Sequence, residues 1–349
     1  MERIHQVTPT DETARIAAQK HWDSIAKPLG SFGELEHLIT RIAAVQGREI
    51  PTIRKRTVAV LCADHGVVEE GVTQTGSEVT ALCADAIAAG TSNVNVIAAS
   101  VGCEVLAVDL GMKHAGSHPA LLDRRIAAGT QNITKMPAMT RGQCEQAIVT
   151  GMDIVRDLKA QGTDIVLTGE MGIGNTTPTA ALASVLLGIA PETVTGRGAG
   201  LDDAGLARKR SAVRRALSRC TCGADDPVGL LAELGGFEIA GMTGQFLGGA
   251  VYRVPVVIDG VISAVAACLA KRIAPLSADY MLASHCSGEP AGEGLLQDLG
   301  LEAVIRAGLR LGEGTGALLL LPLLDSALAL YCGSHRFDTL QIAPYEKLS

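Results

Sequence analysis

Short apolar runs rich in β-branched residues recur along the chain at wide intervals. A run without polar alternation is typical of a strand that is covered on both faces. Four such runs are Thr57–Cys62, Val105–Asp109, Asp164–Thr168 and Val254–Asp259. Pro255, near the start of the last run, lacks an N–H for the ladder and argues against a central position for that strand. The pattern predicts four buried strands.

Stretches of helical periodicity separate these runs, namely Glu78–Ala99, Arg141–Lys159 and Pro178–Leu187. Another amphipathic helix follows Gly33, because apolar positions recur there every three or four residues up to Val45. Strands that alternate with helices predict right-handed crossovers and a parallel α/β sheet. Ligands of such sheets bind beyond the carboxyl ends of the strands. The segments that directly follow the four strands are therefore the candidate sites.

Composition narrows the class of protein. Of 349 residues, 47% are hydrophobic and 19% charged, which excludes a disordered chain because burial can offset the entropy of ordering. The formal net charge of −7 argues against a nucleic-acid partner. The most apolar segment, Ala317–Cys332, is shorter than a membrane span and contains Pro322 and Asp325. We expect a buried helix there and no membrane span.

The cysteines and the first residues predict a cytoplasmic protein. Nine cysteines are scattered along the chain, several of them inside apolar runs, where a free thiol packs as a small hydrophobe. Met1–His5 has no apolar stretch after its charges, so no secretory signal is expected. Cys220 and Cys222 lack a second pair at zinc-finger spacing, and no other cluster has metal-ligand spacing. We therefore expect reduced thiols and no metal.

The segment Gly169–Leu182 has the residues of an anion cradle. Three glycines follow a predicted strand, Asn175 or either following threonine can cap the next helix, and Pro178 fits its first turn. Unpaired N–H groups and the helix dipole favour a phosphate at such a place. The alternative is an ordinary tight turn between strand and helix. The glycine order fits neither a Walker A loop nor a dinucleotide fingerprint. The α/β pattern would also suit a nicotinamide-dependent oxidoreductase, but the missing fingerprint argues against that function.

A second segment, Arg310–Leu318, places Glu313 between two glycines. We expect it at a bend between the end of one helix and the start of another, where the carboxylate projects into a cavity. Partial desolvation raises the pKa of such a carboxylate toward neutrality, which suits a general base. The alternative is that Glu313 only caps the next helix.

These two segments, together with others in the same order along the chain, resemble the nicotinate-nucleotide:5,6-dimethylbenzimidazole phosphoribosyltransferases, which activate the lower ligand of cobamides. The resemblance covers nearly the whole chain. The other matching segments are Lys27–Gly33, Cys62–Val67, Pro137–Met139, Gly235–Phe237, Gly241–Met242 and Ser284–His285. It implies a three-layer αβα, Rossmann-like parallel sheet. A small helical domain from both chain ends (residues 1–50 with 320–349) would accompany a large domain (residues 51–319).

The resemblance also implies the reaction. A 5-phosphoribosyl group passes from nicotinate mononucleotide to an aromatic base, the β link becomes an α link, and nicotinate is released. The product, an α-riboside 5′-phosphate, would serve the assembly of the cobamide nucleotide loop. Nicotinate already leaves from a cationic pyridinium, so no general acid and no cofactor are implied. Glu313 matches the family's catalytic base, and Glu170 matches a second carboxylate near the ribose, where its charge would support an oxocarbenium-like transition state.

The same resemblance assigns a phosphoribosyl-binding set, which is Gly172, Ile173, Gly174, Asn175, Thr176, Lys209, Ser284, His285 and Gly314. Two of these residues have structural alternatives. Lys209 lies in a basic run that also fits a solvated helix face, and His285 also fits a buried core histidine. The same reading applies to His65.

The acceptor pocket implied by the resemblance contains Thr75, Cys83, Met171 and Leu311. Family members that prefer dimethylbenzimidazole usually have serine and glutamine in place of Thr75 and Cys83, and relatives that use phenol or p-cresol also differ there. Arg197 and Gly200 depart from the family as well. We therefore expect a benzimidazole or phenolic acceptor and a homodimer or heterodimer. The alternative function is a non-catalytic or co-catalytic subunit of a heterodimeric phenol-activating enzyme.

Overall fold

The computed structural model describes residues 1–345 of the chain. Its centre is a sheet of six strands in which every neighbouring pair is parallel. The strands are β1 Arg56–Ala63, β2 Glu104–Gly111, β3 Leu122–Asp123, β4 Ile165–Met171, β5 Val256–Ile258 and β6 Met281–Ala283. Their order across the sheet is β3-β2-β1-β4-β5-β6. The order reverses between β1 and β4, which is the place where open parallel sheets form their ligand crevice.

Helices connect the strands and extend both ends of the chain. The first seven are α1 Glu12–Ser24, α2 Glu34–Gln46, α3 Glu78–Ala88, α4 Asn93–Ser100, α5 Arg141–Ala160, α6 Thr176–Leu187 and α7 Pro191–Val194. The others are α8 Asp203–Arg219, α9 Pro227–Leu234, α10 Phe237–Tyr252, α11 Val261–Ile273, α12 Gly292–Leu299 and α13 Thr315–Gly333. Short 3-10 turns occupy Glu2–Gln6, Gly66–Glu70 and Pro275–Tyr280.

The sheet is covered on both faces, which gives three layers. Along β1, Ala59 and Leu61 belong to one apolar cluster with residues of α5, α6, α9, α10 and α11. Val58 and Val60 belong to another cluster with residues of α1, α2, α3, α4 and α13. Successive side chains of a strand point to opposite faces, so a strand buried on both sides has apolar residues at every position. The predicted parallel α/β fold is confirmed.

The four predicted strands are confirmed as β1, β2, β4 and β5, but several details differ. The strands β3 and β6 have two and three residues. Unlike the equally short β5, they do not lie inside a longer apolar run, so the sequence pattern does not reveal them. Pro255 does not exclude a central strand: β5 lies between β4 and β6, and Pro255 precedes its first residue. The predicted helix Glu78–Ala99 is two helices, because the chain turns at Gly90, where φ is +80°.

The two ends of the chain pack together. The backbone N–H of Ala26 donates to the carbonyl of His335 at 3.0 Å, and the N–H of Phe337 donates to the carbonyl of Ser24 at 3.1 Å. The rings of His21 and Tyr331 stack with centroids 4.0 Å apart. The division into a small domain (residues 1–50 with 320–349) and a large domain (residues 51–319) stays a prediction. Residues 346–349 of the predicted small domain lie outside the described residues.

The apolar helix near the C-terminus is buried, as predicted. Four leucines of α13 have no exposed surface and belong to the same apolar cluster as Val58 and Val60 of β1, namely Leu318, Leu320, Leu321 and Leu324. By length and composition alone, α13 and the segment Glu78–Ser100 would each be long enough to cross a membrane, a test that core helices of globular proteins also pass. In α13, 44% of the most apolar 18-residue window is buried, and the buried side chains belong to the core.

The helices α5 and α10 cross at unusually short distance. A Cβ atom at Gly151 would lie 1.9 Å from the carbonyl oxygen of Gly241, and one at Gly244 would lie 1.9 Å from the carbonyl oxygen of Ile148. Since both neighbours are backbone atoms, no side-chain rotation can relieve the clash. The close approach of the two helices therefore depends on glycine.

We predict that Gly151→Ala destabilises the protein by about 3 kcal/mol, because the added methyl forces α5 and α10 apart. Denaturant unfolding measures the change. The matched control is Gly142→Ala in the same helix, where a Cβ atom would meet nothing within 4 Å. Alanine should leave stability there unchanged or slightly higher, since it is the better helix former. Equal stability of the two variants would contradict the proposed tight crossing.

Candidate active site

A cleft of about 270 Å³ opens beyond the carboxyl ends of β4, β5 and β6. It is lined by residues 170–173, 175–176, 198–199, 259–263, 285, 287, 289, 309–313 and 315–316. Glu170 and Glu313 are both among the lining residues, so the glycine segment after β4 and the glycine-flanked glutamate share one cavity. A Cβ atom at Gly169 would lie 2.8 Å from the carbonyl oxygen of Glu313, which shows how closely the two segments pack.

Glu170 lies inside β4, because the strand extends to Met171. Its side chain is buried, with 7% exposure, and its Oε2 accepts a short hydrogen bond from Asn175 Nδ2. Burial raises the pKa of Glu170 well above its usual range, and the charges of Asp259 and Glu238 act in the same direction. Asn175 occupies the N-cap position of α6 but makes no side-chain cap bond. Its amide instead holds the Glu170 carboxyl in place.

Glu313 has a φ of +62° between Gly312 at +84° and Gly314 at +83°. Three consecutive left-handed residues are tolerated here because two of them lack a Cβ atom. The chain before this turn is irregular, so the expectation of a helix before Glu313 is wrong. Gly314 is the N-cap residue of α13 and makes no side-chain cap bond.

The Glu313 side chain does not cap α13. The backbone N–H of Val94, in α4, lies near the carboxylate and favours its ionised form, and Oε2 is buried with no partner among residues 1–345. Burial raises the pKa of Glu313, the charge of Asp259 adds to the rise, and the Val94 N–H opposes it. A carboxylate with an unpaired oxygen and a raised pKa is suited to accept a proton at near-neutral pH.

Lys209 is buried rather than part of a solvated helix face. Its exposure is 1%, and its Nζ donates to Thr176 Oγ1 at 2.8 Å. Neighbouring arginines of α8 do face solvent, and Arg214 and Arg215 pair with glutamates there. Burial lowers the pKa of Lys209 to about 8, against the opposing charge of Glu289. The ammonium thus lies behind Thr176, at one end of the cleft.

The predicted phosphate cradle is only partly free. The backbone N–H of Ile173 donates to Thr80 Oγ1 at 3.1 Å, and that hydroxyl donates to Asp64 Oδ1 at 2.6 Å. The Ile173 N–H is therefore already engaged, although the residue lines the cleft together with Gly172. Gly174 lies outside the cleft lining. At the start of α6 the N–H of Thr177 donates to the carbonyl of Gly174 at 3.0 Å, and Pro178 has no N–H. Thr176, with its N–H and its hydroxyl, is the part that remains available for an anion.

Ser284 and His285 play different roles in the wall behind the cleft. Ser284 is fully buried, and its Oγ donates to the carbonyl of Ile258 at 2.6 Å. His285 lines the cleft, its Nδ1 lies 3.0 Å from Ser284 Oγ, and burial lowers its pKa. His65 is a core residue: its Nε2 lies 2.8 Å from Glu238 Oε1, and both side chains are buried.

The residues of the implied acceptor pocket are not all brought together. Met171 and Leu311 line the cleft, and Leu311 is 57% exposed. Thr75 is exposed in the loop before α3 and does not line the cleft. Cys83 lies outside the lining too, but near Glu313, whose charge adds to the effect of burial in raising the pKa of the thiol.

Among the residues of the cleft that sequence reasoning did not assign to the site, three are charged. Asp259 ends the predicted strand run and therefore occupies a carboxyl-end position, which is a signal that was available. Arg310 and Glu289 also line the cleft, but neither has a distinguishing pattern in the sequence. Across the described residues, no three metal-ligating side chains lie close enough to share an ion.

The chain and its fold have counterparts in known proteins. A family model described as a phosphoribosyltransferase matches residues 7–342, and the chain belongs to that family. Among its relatives are proteins named nicotinate-nucleotide–dimethylbenzimidazole phosphoribosyltransferase. The one from Desulforudis audaxviator is 43% identical over 94% of this chain and 93% of its own length. The one from Escherichia coli is 40% identical over 94% and 92%.

Solved structures agree with the sequence comparison. A crystal structure of the protein of the same name from Thermus thermophilus superimposes with a TM-score of 0.88 at 38% identity. The match covers 95% of this chain and 99% of the other. The chain is thus similar to these enzymes over its whole fold and not in one motif alone.

The buried lysine predicts a pH dependence of stability. Folding holds the pKa of Lys209 at about 8, against 10.5 for a free lysine. Between these values the unfolded chain binds more protons than the folded one, so the contribution of Lys209 to stability rises with pH. Relative to Lys209→Met, the wild-type protein should gain about 3 kcal/mol of unfolding free energy between pH 7.5 and pH 10.5.

Urea unfolding of both proteins across this pH range measures the difference, and subtraction removes the titration of all shared groups. A difference that stays constant with pH would contradict the depressed pKa. The opposite slope would mean that Lys209 is stabilised as a cation in the folded state.

Proposed function

We propose that the chain transfers the 5-phosphoribosyl group of nicotinate mononucleotide to an aromatic lower-ligand base, giving the α-riboside 5′-phosphate and nicotinate for cobamide assembly. The observation that carries the proposal is the polarity of the cleft. Thr176, the α6 N-terminus and Lys209 lie at one end, and two carboxylates with raised pKa values lie beside it. The relatives named above support the same pair of substrates.

The cationic end of the cleft suits the 5′-phosphate. The N–H and the hydroxyl of Thr176, the first residue of α6, supply donors at the positive end of the helix, and Lys209 supplies a positive charge behind them. Burial lowers the pKa of Lys209 to about 8, so the ammonium is still the main form near pH 7, and a phosphate at Thr176 would favour it further. Ser284 does not line the cleft. It supports the wall indirectly, because its Oγ contacts His285 Nδ1 and donates to the carbonyl of Ile258 at the end of β5.

The carboxylates suit the reacting carbon. The bond between C1′ and the pyridinium nitrogen breaks, and its electron pair leaves with nicotinate. The acceptor lone pair forms the new bond to C1′ from the opposite face, which inverts the linkage. Glu170, near the ribose, stabilises the positive charge that develops there. That charge favours the carboxylate form of Glu170, against the burial and the neighbouring carboxylates that raise its pKa. Glu313 takes the proton that the acceptor loses. No step draws on a cofactor.

The acceptor is a planar aromatic ring held mainly by apolar contact. Met171 and Leu311 line the cleft beside the two glutamates. Cys83, near Glu313, is a weak hydrogen-bonding group, so an amide interaction with the base is missing. We infer that dimethylbenzimidazole, related benzimidazoles and phenols compete for this place.

We further infer that the chain acts as a dimer in the cytoplasm. Exposed apolar side chains lie on the neighbouring helices α3, α4 and α13, namely Leu82 at 67%, Val96 at 69% and Leu319 at 39% exposure. Such a patch is typical of a subunit interface. The cysteines within the described residues all carry free thiols, which suits a reducing compartment.

A second candidate function is a co-catalytic subunit of a heterodimeric phenol-activating enzyme. Cys83 favours it, since the amide expected at that place is lost. Arg197 adds little, because its guanidinium donates to the Leu201 carbonyl and pairs with Asp203 on the surface. Retention of both Glu170 and Glu313 argues for a chain that is active by itself.

We predict that Glu313→Gln lowers kcat by about 10²–10⁴-fold, because an amide cannot take the acceptor's proton. Nicotinate mononucleotide should still bind, since its phosphate end is unchanged. Chromatographic assay of nicotinate release and calorimetric titration with the nucleotide measure the two effects. The control is Glu302→Gln, because Glu302 is exposed and does not line the cleft. Its kcat and its nucleotide affinity should match those of the wild type. A near-normal rate for Glu313→Gln would refute the base assignment.

We predict that the purified chain alone forms α-riboside phosphates from benzimidazoles and from phenols, because apolar walls and a thiol do not select between them. Competition among dimethylbenzimidazole, benzimidazole, phenol and p-cresol measures the preference. Cys83→Gln should shift it toward dimethylbenzimidazole.

Light scattering on the same sample should give twice the chain mass of 36.1 kDa. Inactivity of the chain alone, relieved by a related second subunit, would instead support the heterodimer.

A further inference from the structure

The first residue after β5, Asp259, makes an unusual set of contacts. Its side chain is buried, with 3% exposure. Oδ2 accepts the backbone N–H of Gly314 at 3.2 Å, and Oδ1 accepts the backbone N–H of Ala317 at 2.9 Å. Its own backbone N–H donates to Ser263 Oγ at 3.2 Å. One carboxylate thus joins the end of β5 to the start of α13.

The start of α13 needs such a partner. The first N–H groups of any helix have no acceptor within the helix, and the N-cap residue here is glycine, which has no side chain to supply one. A carboxylate is the strongest common acceptor for these groups and also complements the positive end of the helix dipole. Asp259 therefore performs the capping role from another element of the fold.

The sequence of the turn is adapted to this contact. A Cβ atom at Gly316 would lie 2.1 Å from His285 Cε1 and 3.0 Å from Asp259 Oδ1. The helix start can approach the carboxylate and the imidazole only because residue 316 is glycine. Glu313 immediately precedes the capped residue Gly314, so the position of its side chain follows from that of the cap.

We propose that Asp259 is the positioning residue for Glu313, holding the left-handed turn against β5 so that the carboxylate of Glu313 enters the cleft beside Glu170. The inference rests on the proposed role of Glu313 as the base. Asp259 itself need not touch either substrate, because both of its carboxylate oxygens already bind the backbone of the turn.

Asp259 also influences Glu313 electrostatically. The groups that face Glu313 are Asp259 after β5, Glu170 in β4, the Cys83 thiol in α3 and the Val94 N–H in α4, with His285 beside Asp259. The negative charge of Asp259 raises the pKa of Glu313. Removal of that charge should therefore lower the pKa of Glu313, whereas a merely structural residue would leave it unchanged.

The test compares Asp259→Asn with Asp109→Asn. Asp109 is a matched control: it is buried, lies in β2 and accepts the backbone N–H of Met112 at 2.8 Å, but it does not contact the turn of Glu313. We expect Asp259→Asn to lower kcat by about 10–10²-fold with the KM for nicotinate mononucleotide little changed, because misplacement of a reacting group by a fraction of an ångström is costly. Asp109→Asn should keep the wild-type kcat.

The pH profile of kcat supplies the second readout. Activity requires ionised Glu313 and is lost as pH falls through its pKa. In Asp259→Asn this acid limb should move to lower pH, and in Asp109→Asn it should stay in place. The inference is overturned if kcat falls no further than in Asp109→Asn, or if the limb does not move.

A measurement on the unmodified chain keeps the inference testable should Asp259→Asn not fold. Hydrogen exchange of the peptide that covers residues 313–318 should be as slow as that of β1, although helix-start amides ordinarily exchange fast. Fast exchange there would overturn the inference. The proposed function is tested separately: an inactive Glu313→Gln together with a normal Asp259→Asn would reject only the positioning role.

Discussion

The contact between the turn of Glu313 and the end of β4 is the constraint on which the site depends. The turn packs so closely that Gly169 has no room for a side chain beside the carbonyl of Glu313. Because Glu170 is the next residue of β4, this contact brings two carboxylates that are far apart in the chain into one cleft. The strand fixes one of them, and the start of α13 fixes the other.

Burial of these groups determines their chemistry. Glu170, Asp259 and Glu313 all have raised pKa values, and burial is the largest cause in each case. The fold offsets the cost of burial with specific partners, which are the amide of Asn175 for Glu170 and the helix-start N–H groups for Asp259. Among these three groups of the described chain, only Glu313 has a fully buried carboxylate oxygen with no partner. Glu313, whose buried oxygen has no hydrogen-bond partner to offset the cost of burial, is therefore the group available to accept a proton.

Much of the fold could be predicted from the sequence, because strands buried on both faces form long apolar runs. The runs of β1, β2, β4 and β5 are such cases, and the apolar length of α13 indicates its burial. The three-residue strand β6 leaves no periodicity, and Pro255 misleads because it lies just outside the ladder. The break at Gly90 is signalled by that glycine together with Ser92, which forms a capping box with Asn95 at the start of α4.

The site was predictable in its residues but not in its contacts. Glycine spacing and the resemblance pointed to Glu170 and Glu313. No pattern shows that Lys209 is buried against Thr176, that Asn175 holds Glu170, or that Asp259 caps α13. These are contacts between elements distant in sequence, and they arise from the packing of the sheet with its helices.

The most direct measurement is a crystal structure of the protein soaked with nicotinate mononucleotide in the absence of an acceptor. We expect the phosphate at Thr176 and the α6 N-terminus, C1′ between Glu170 and Glu313, and the pyridinium ring toward Leu311. A nucleotide bound in another cavity, or one whose ribose lies away from both carboxylates, would contradict the shared cleft and the roles of its two glutamates.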